Sequence, residues 1–346
     1  MCTKNLSSIW CRYQRGFSLV ELMVAMTLGL IILGAVGYLY LGSRQTFRTT
    51  DAIARIQENA RFALQIVAHD VRMAGYVGCV NLSANKAYTI AKPSLVAALT
   101  PANAIIGWDA GAGAMSFGSS PAITRISTTD AISVMGAFGS DVPVLNTPAA
   151  SGTAAIQIAG NPLNIAAGDV LLVGNCNTAD IFSATGVAAT GGGQVAISHG
   201  TANNTQPALW GTYDTTAVVM KLEQYTYFIG TNPSGGRSLY RSSLSEGTVE
   251  VADNVWDMQI QYGIDPNNSG SASSYSTAGA VVDWTQVVSA RISLLLVSQD
   301  NVLTTPQTYT FGGAAVTPGA GAPDLLRMHQ VFTTTVGVRN RLAYGA

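Results

Sequence analysis

Glu21 is the only charged residue in the 25 positions from Phe17 to Leu41. A charge in a membrane helix costs roughly 2.5–3.5 kcal/mol on insertion scales and marks function. The carboxylate therefore requires a partner, and its own segment offers none. The other side chains able to do chemistry are scattered. His69, His199 and His329 form no H-E-x-x-H and no paired ligand spacing, so they define no zinc site. No G-x-S-x-G elbow, P-loop or complete G-x-G-x-x-G occurs, and Gly191-Gly192-Gly193 runs into a strand as a flexible loop does. No spacing selects a Ser/His/Asp triad, so nothing positive points to an enzyme, a cofactor or a metal. Asp265-Pro266-Asn267-Asn268-Ser269-Gly270 opens like an EF-hand calcium loop. Ser269 stands where Asp or Asn is preferred, and Ser276 holds the twelfth position, where Glu belongs. A plain hairpin loop is expected there. Trp210, Tyr213, Trp256 and Trp284 are candidate contacts for a sugar or DNA, but they form no cluster, and Trp256 and Trp284 are assigned to the core.

The elements that must position Glu21 follow from hydropathy. Residues Phe17–Leu41 exceed the roughly 20 apolar residues that span a ~30 Å hydrocarbon core. Met1–Gly16 ahead of them carries Lys4, Arg12 and Arg15 and no acid, which places the N-terminus in the cytoplasm and the bulk of the chain outside. A secretory signal would have a shorter apolar stretch followed by an A-x-A site, and neither is present. Beyond Leu41, Ile53, Ile56, Ala60, Ala63, Val67, Val71 and Ala74 recur at helical spacing opposite Arg55, Glu58, Arg61, Gln65 and Arg72. Gly75 sits at the expected C-cap. One helix over Phe17–Ala74, 58 residues, would extend roughly 87 Å.

The remainder reads as strands separated by Gly/Ser/Thr/Asn loops. Asn254–Tyr262 alternates, with Trp256, Met258, Ile260 and Tyr262 on the apolar face. Ala217–Ile229, Val287–Val297 and Phe332–Val338 are rich in β-branched and aromatic residues, and Ala154–Ala159 and Asp169–Gly174 are shorter candidates. Ala184–Gly193, Asn267–Gly279 and Gly312–Gly321 read as loops, and Pro93–Thr153 as a low-complexity region. Helix followed by strands, without alternation, predicts an α+β fold with an antiparallel sheet packed on the helix.

Composition excludes several classes. With 48% hydrophobic and 11% charged residues, the 346-residue chain is the reverse of a disordered one. The formal net charge of −1 and the absence of a Lys/Arg run leave no electrostatic footprint for nucleic acid. Mean hydropathy of +0.27 is too low for a polytopic membrane protein.

The string Arg15-Gly16-Phe17-Ser18-Leu19-Val20-Glu21-Leu22-Met23 resembles the class III leader and cleavage site of type IV pilins and type II secretion pseudopilins. Further strings resemble the PilW family of large minor pilins. These are Asp70–Tyr76 leading into Cys79, Asp169–Asn175 leading into Cys176, Val255–Asp265, Ala290–Ile292, and Val331–Leu342 with Arg339-Asn340-Arg341. The resemblance implies a type IV pilin-like architecture, a long N-terminal α-helix packed on a β-sheet-rich domain. It implies four regions: a leader at 1–16, a membrane or filament-core half-helix at 17–42, an amphipathic half at 43–75 and a periplasmic domain at 76–346.

The resemblance also implies roles. A prepilin peptidase would cut between Gly16 and Phe17 and methylate the Phe17 amine, and Glu21 would pair with the N-terminal ammonium of a neighbouring subunit. Cleavage would remove three of the 18 basic residues and leave 15 against 19 acidic ones, a net charge of −4. It would also remove Cys2 and Cys11. In an oxidising periplasm Cys79 and Cys176 most simply form one disulfide, the alternative being two buried thiols. The implied role is structural: a minor pilin of a tip or priming complex. Implied partners are other minor pilins, the major pilin, a PilY-type tip adhesin and the inner-membrane platform protein. The implied location is the inner membrane, single-pass, and then the pilus tip. A J-type minor pseudopilin of type II secretion shares the same N-terminus, and an anchored periplasmic enzyme or binding protein is a third possibility.

Overall fold

A computed structural model of the chain describes residues 18–80, 82, 86–112, 123–147 and 149–341. The chain divides into two compact units, 1–51 and 52–346. Helix α1 runs over Leu19–Met73. Its apolar side chains from Leu19 to Leu41 are all exposed, Leu30 by 68% and Tyr38 by 81%, and the helix is long and apolar enough to cross a membrane.

Within 52–346, the helical stripe anticipated from three- and four-residue steps is the buried one. Ile56, Ala60, Ala63, Val67, Val71 and Ala74 enter the largest core cluster, where they meet Ile132, Val134, Tyr227, Leu239, Met258, Ile260, Ile292 and Leu294. Small residues on the helix allow close approach to a sheet, and Gly136 does the same on the sheet side. A Cβ at Gly136 would lie 3.0 Å from the Met73 carbonyl oxygen.

The largest sheet combines β1 (Ala87–Thr89), β2 (Ile105–Trp108), β3 (Ala131–Ala137), β4 (Val142–Pro143), β7 (Val170–Gly174), β8 (Ala179–Ser183), β12 (Val218–Thr231), β13 (Arg237–Ser243) and β14 (Gly247–Asp253). The long strand β12 is its spine: it pairs with β4 and β7 in its first half and with β3 and β13 in its second. A four-stranded sheet follows in the order β16–β15–β17–β20, from β15 (Val255–Ile264), β16 (Ser274–Ser276), β17 (Val287–Asn301) and β20 (Arg327–Gly337). Smaller sheets join β6 (Ile156–Ala159), β9 (Gly186–Gly191) and β10 (Gln194–Ser198), then β5 (Ala150–Gly152) with β11 (Leu209–Tyr213), and β18 (Tyr309–Phe311) with β19 (Ala314–Val316). Pairing is antiparallel throughout the described strands except between β1 and β8. The architecture is α+β and pilin-like, one long helix and a strand-rich domain.

Five local expectations are corrected, one of them at residues 267–279, which contain β16 paired with β15. Residues 184–193 are not a loop: they contribute β9, the first arm of a hairpin with β10. Residues 312–321 contain β19, paired with β18. The region 93–153 supplies β2 to β5, and every residue of β3 is buried. Strand β15 carries a bulge between Val255 and Asp257. An extra residue reverses the facing of those that precede it. Val255 is therefore fully buried while Trp256 is only partly so. Trp256 lies outside the core instead, with the Arg237 guanidinium 4.8 Å from its ring centre.

Candidate functional site

At the start of α1, the Ser18 hydroxyl accepts from the Val20 N–H at 3.3 Å, and the Glu21 carboxylate accepts from the Ser18 N–H at 2.9 Å. This reciprocal arrangement is a capping box, with serine at the N-cap and glutamate three residues on. Glu21 is thus not without a partner in its own segment, contrary to the sequence expectation. Its carboxylate folds back onto the helix N-terminus, where free N–H groups and the helix dipole favour an anion. The Ser-x-x-Glu spacing of Ser18-Leu19-Val20-Glu21 was the overlooked signal. Gly16 and Phe17, the expected processing site, lie outside the described residues.

The other end of α1 is seated by side chains from remote strands. Asp70 is buried on the helix face. It accepts from the Tyr227 hydroxyl of β12, and the Arg241 guanidinium of β13 lies 4.0 Å from the same oxygen. His69 lies 2.9 Å from its second oxygen. Arg241 also bonds Glu246 at 2.8 Å and stacks over Tyr225 at 4.5 Å. Burial, with the Asp70 charge adding to it, pushes the Tyr227 phenol far above its ordinary range, so it acts as a fixed neutral donor. An ionic group buried at such a contact needs this many partners to be tolerated.

The helix then stops at Gly75, whose φ of +75° is left-handed backbone that glycine adopts without strain. The Gly75 N–H bonds the Met135 carbonyl at 2.8 Å, and the Tyr76 N–H bonds Met73 at 3.0 Å. The last helical carbonyls receive a donor from the far end of the chain: the Asn340 amide bonds the Ala74 carbonyl at 3.1 Å. Its neighbour Arg341 donates to the carbonyls of Trp284, Val287 and Pro101. Desolvation lowers the Arg341 pKa to about 10, partly opposed by Asp283. Sequence reasoning placed Arg339-Asn340-Arg341 in a family string without a role; the structure makes it a cap and a brace. Just after the helix, Cys79 and Cys176 are joined as a disulfide, with Cα atoms 4.9 Å apart.

The remaining candidates have structural surroundings. His199 is buried between the Pro207 and Ala154 carbonyls, at 2.8 and 2.9 Å. His329 pairs with Asp324 at 2.8 Å and stacks on Tyr309. Among the described residues no three His, Cys, Asp or Glu side chains group as metal ligands. Asp265 accepts from the Gly270 N–H at 2.7 Å and the Ser269 hydroxyl at 3.1 Å, closing the loop between β15 and β16. Trp284 packs edge-on against Tyr262, their ring centres 4.8 Å apart. Trp210 stacks on Tyr88 at 5.5 Å, a pairing across 122 positions of sequence that no local pattern signals.

The comparisons with known proteins agree with this geometry. Residues 11–37 match the model of the prokaryotic N-terminal methylation motif, which covers the capping box and the exposed apolar helix. The fold and this motif define a type IV pilin-like chain. Residues 226–340 match the model of Type IV Pilus-assembly protein W, a span that holds Tyr227, Arg241 and Asn340. Together the two matches support a type IV minor-pilin-like protein that is similar to the PilW family over a third of its length. It is also 36% identical over 83 residues to the pilin-like protein PilA3 of Thermus thermophilus, across 24% of this chain and 35% of that protein. The chain thus spans about a third of the length of this curated relative. No solved structure matches. The methylation motif and the apolar helix point to membrane anchoring, and a pilin-like family implies contacts with other pilus components.

Proposed function

We propose that the protein is a minor pilin that joins a tip or priming complex for type IV pilus assembly. The observation carrying this reading is the exposed apolar half of α1, opened by a charged capping box within the methylation motif. A run of leucine, valine and isoleucine open to solvent is untenable outside lipid or another protein. In the bilayer it meets acyl chains, and in a filament it meets the same segments of neighbouring subunits. Prepilin peptidase cuts between Gly16 and Phe17 and methylates the new amine. Glu21 then exchanges its Ser18 N–H for the ammonium of an adjacent subunit, a stronger, charge-assisted partner. The β-rich domain faces the periplasm, and the Cys79–Cys176 bridge ties the segment after the helix to the β7–β8 connection. The four regions bounded at 16, 42 and 75 follow from this sequence of events. Partners are sibling minor pilins, the major pilin, a PilY-type adhesin and the platform protein.

The test is the N-terminal peptide of the native protein, measured by mass spectrometry in membrane and sheared-surface fractions. A chain beginning at N-methylated Phe17 in sheared filaments is expected. A chain still beginning at Met1, or cut near Leu41, would sink the reading. The same helix also suits a J-type pseudopilin, and deletion separates the two: loss of twitching or DNA uptake marks a pilus, and loss of exoprotein secretion marks the rival.

A further inference from the structure

Trp210 is the most exposed aromatic side chain among the described residues of 52–346, at 65%. It does not project freely. Tyr88 of β1 backs it at 5.5 Å with ring planes 26° apart, which leaves the opposite face of the indole open. The strand that carries it is fixed from below by Asp180 of β8, which is fully buried. That carboxylate accepts from the Gly211 N–H and from the Tyr213 hydroxyl, both at 2.8 Å. Gly211 allows this close approach, since a Cβ there would lie 2.4 Å from the Tyr213 hydroxyl oxygen. The second Asp180 oxygen has no hydrogen-bond partner among the described residues. A buried carboxylate left half satisfied is costly to a fold. Here it holds in register a strand whose exposed product is one aromatic face.

From this arrangement we infer that the Trp210–Tyr88 stack is a binding platform for a neutral carbohydrate. A pyranose ring has an apolar face of C–H groups and a rim of hydroxyls. The face suits an exposed indole, and the rim needs amides and hydroxyls rather than charge. Such a group lies two residues along the same exposed strand face, the Thr212 side chain, whose backbone carbonyl is held by the Asn175 amide at 3.2 Å. The charged side chain bonded to this strand, Asp180, is buried beneath it. Two rings without a wider apolar surround fall far short of the roughly 1,000 Å² of a specific protein interface. A nucleic-acid strand stacks on such rings only alongside a basic groove.

The test uses the full chain in zwitterionic micelles that carry no sugar headgroup. Saturation-transfer NMR and tryptophan fluorescence are recorded with lactose, maltotetraose and chitotetraose, and separately with a single-stranded oligo(dT). Saturable binding of at least one saccharide is expected. It should weaken by about tenfold or more in Trp210→Ala, the loss of a single stacking contact of ~1.4 kcal/mol. Trp210→Phe, with a smaller ring, should fall between that variant and the wild type, and Val282→Ala, at a fully exposed apolar position elsewhere, should bind as the wild type does. The inference is overturned if none of the three saccharides binds, if Trp210→Ala binds them unchanged, or if oligo(dT) binds and the saccharides do not. It stands apart from the assembly reading, because Trp210→Ala should still be processed and appear in sheared filaments.

Discussion

Arg341 should be among the most sensitive positions of the domain, although it lies just beyond the matched family region. Its guanidinium donates to the carbonyls of Trp284 and Val287 in one segment and of Pro101 in another. Replacing it with methionine keeps the stem and removes every donor. Hydrogen bonds to a charged group contribute about 1.5–3 kcal/mol each, and an abandoned buried carbonyl costs about 1–3 kcal/mol. Against this stands the desolvation already visible in the lowered pKa of Arg341, so the net loss for Arg341→Met is about 2–4 kcal/mol. With about 2.1 cal/mol/K of unfolding entropy per residue over 52–346, each kcal/mol moves the midpoint by about 2 °C. The expected fall in Tm is therefore about 4–8 °C, followed by near-UV circular dichroism of the full chain in micelles. Arg341→Lys should recover little, because a point charge cannot serve three divergent acceptors as a planar fork does. A change below 1 °C in Arg341→Met, or full recovery in Arg341→Lys, would refute the reasoning.

Other positions give independent tests. Cys79→Ser with Cys176→Ser opens a link across 97 residues; chain-entropy models give about 4–5 kcal/mol, so the urea midpoint should fall steeply, and an unchanged midpoint would show that the bridge carries no stability. Burial raises the Asp257 carboxyl to about 6. Its protonated form is therefore favoured in the folded state, and stability should decline as pH rises from about 4 to about 6. Asp257→Asn should flatten that decline, and a decline of unchanged size would exonerate this group. Glu21→Ala removes the capping box and its charge; normal cleavage with loss from sheared filaments is expected, and wild-type incorporation would defeat the role proposed for the carboxylate.

Legibility in sequence followed the range over which each signal acts. The buried helix stripe from Ile56 to Ala74 and strands β12, β15, β17 and β20 declare themselves through local period and composition. Strand β3 does not, because a strand buried on both faces loses its alternation. The β9 strand was hidden by glycine and alanine. The outward turn of Trp256 depends on a bulge, and no single-strand pattern encodes one. Asp70 with Tyr227, and Trp210 with Tyr88, are joined by topology alone. The Ser18–Glu21 box was legible and shows that an intramembrane charge should be read with its three upstream neighbours before a distant partner is sought.

The cap on α1 also bears on the order in which this molecule can be completed. Asn340 follows the carbonyl it binds at Ala74 by 266 residues, so the helix leaves the ribosome long before the amide that finishes it. Until then the last turn has Gly75 and its β3 partner but no side-chain donor. Contacts of such sequence separation form late. A chain broken off after β20 but short of Asn340 keeps every described sheet strand yet presents an open helix terminus. The side-chain cap on α1 therefore closes only once the chain has been translated through Asn340.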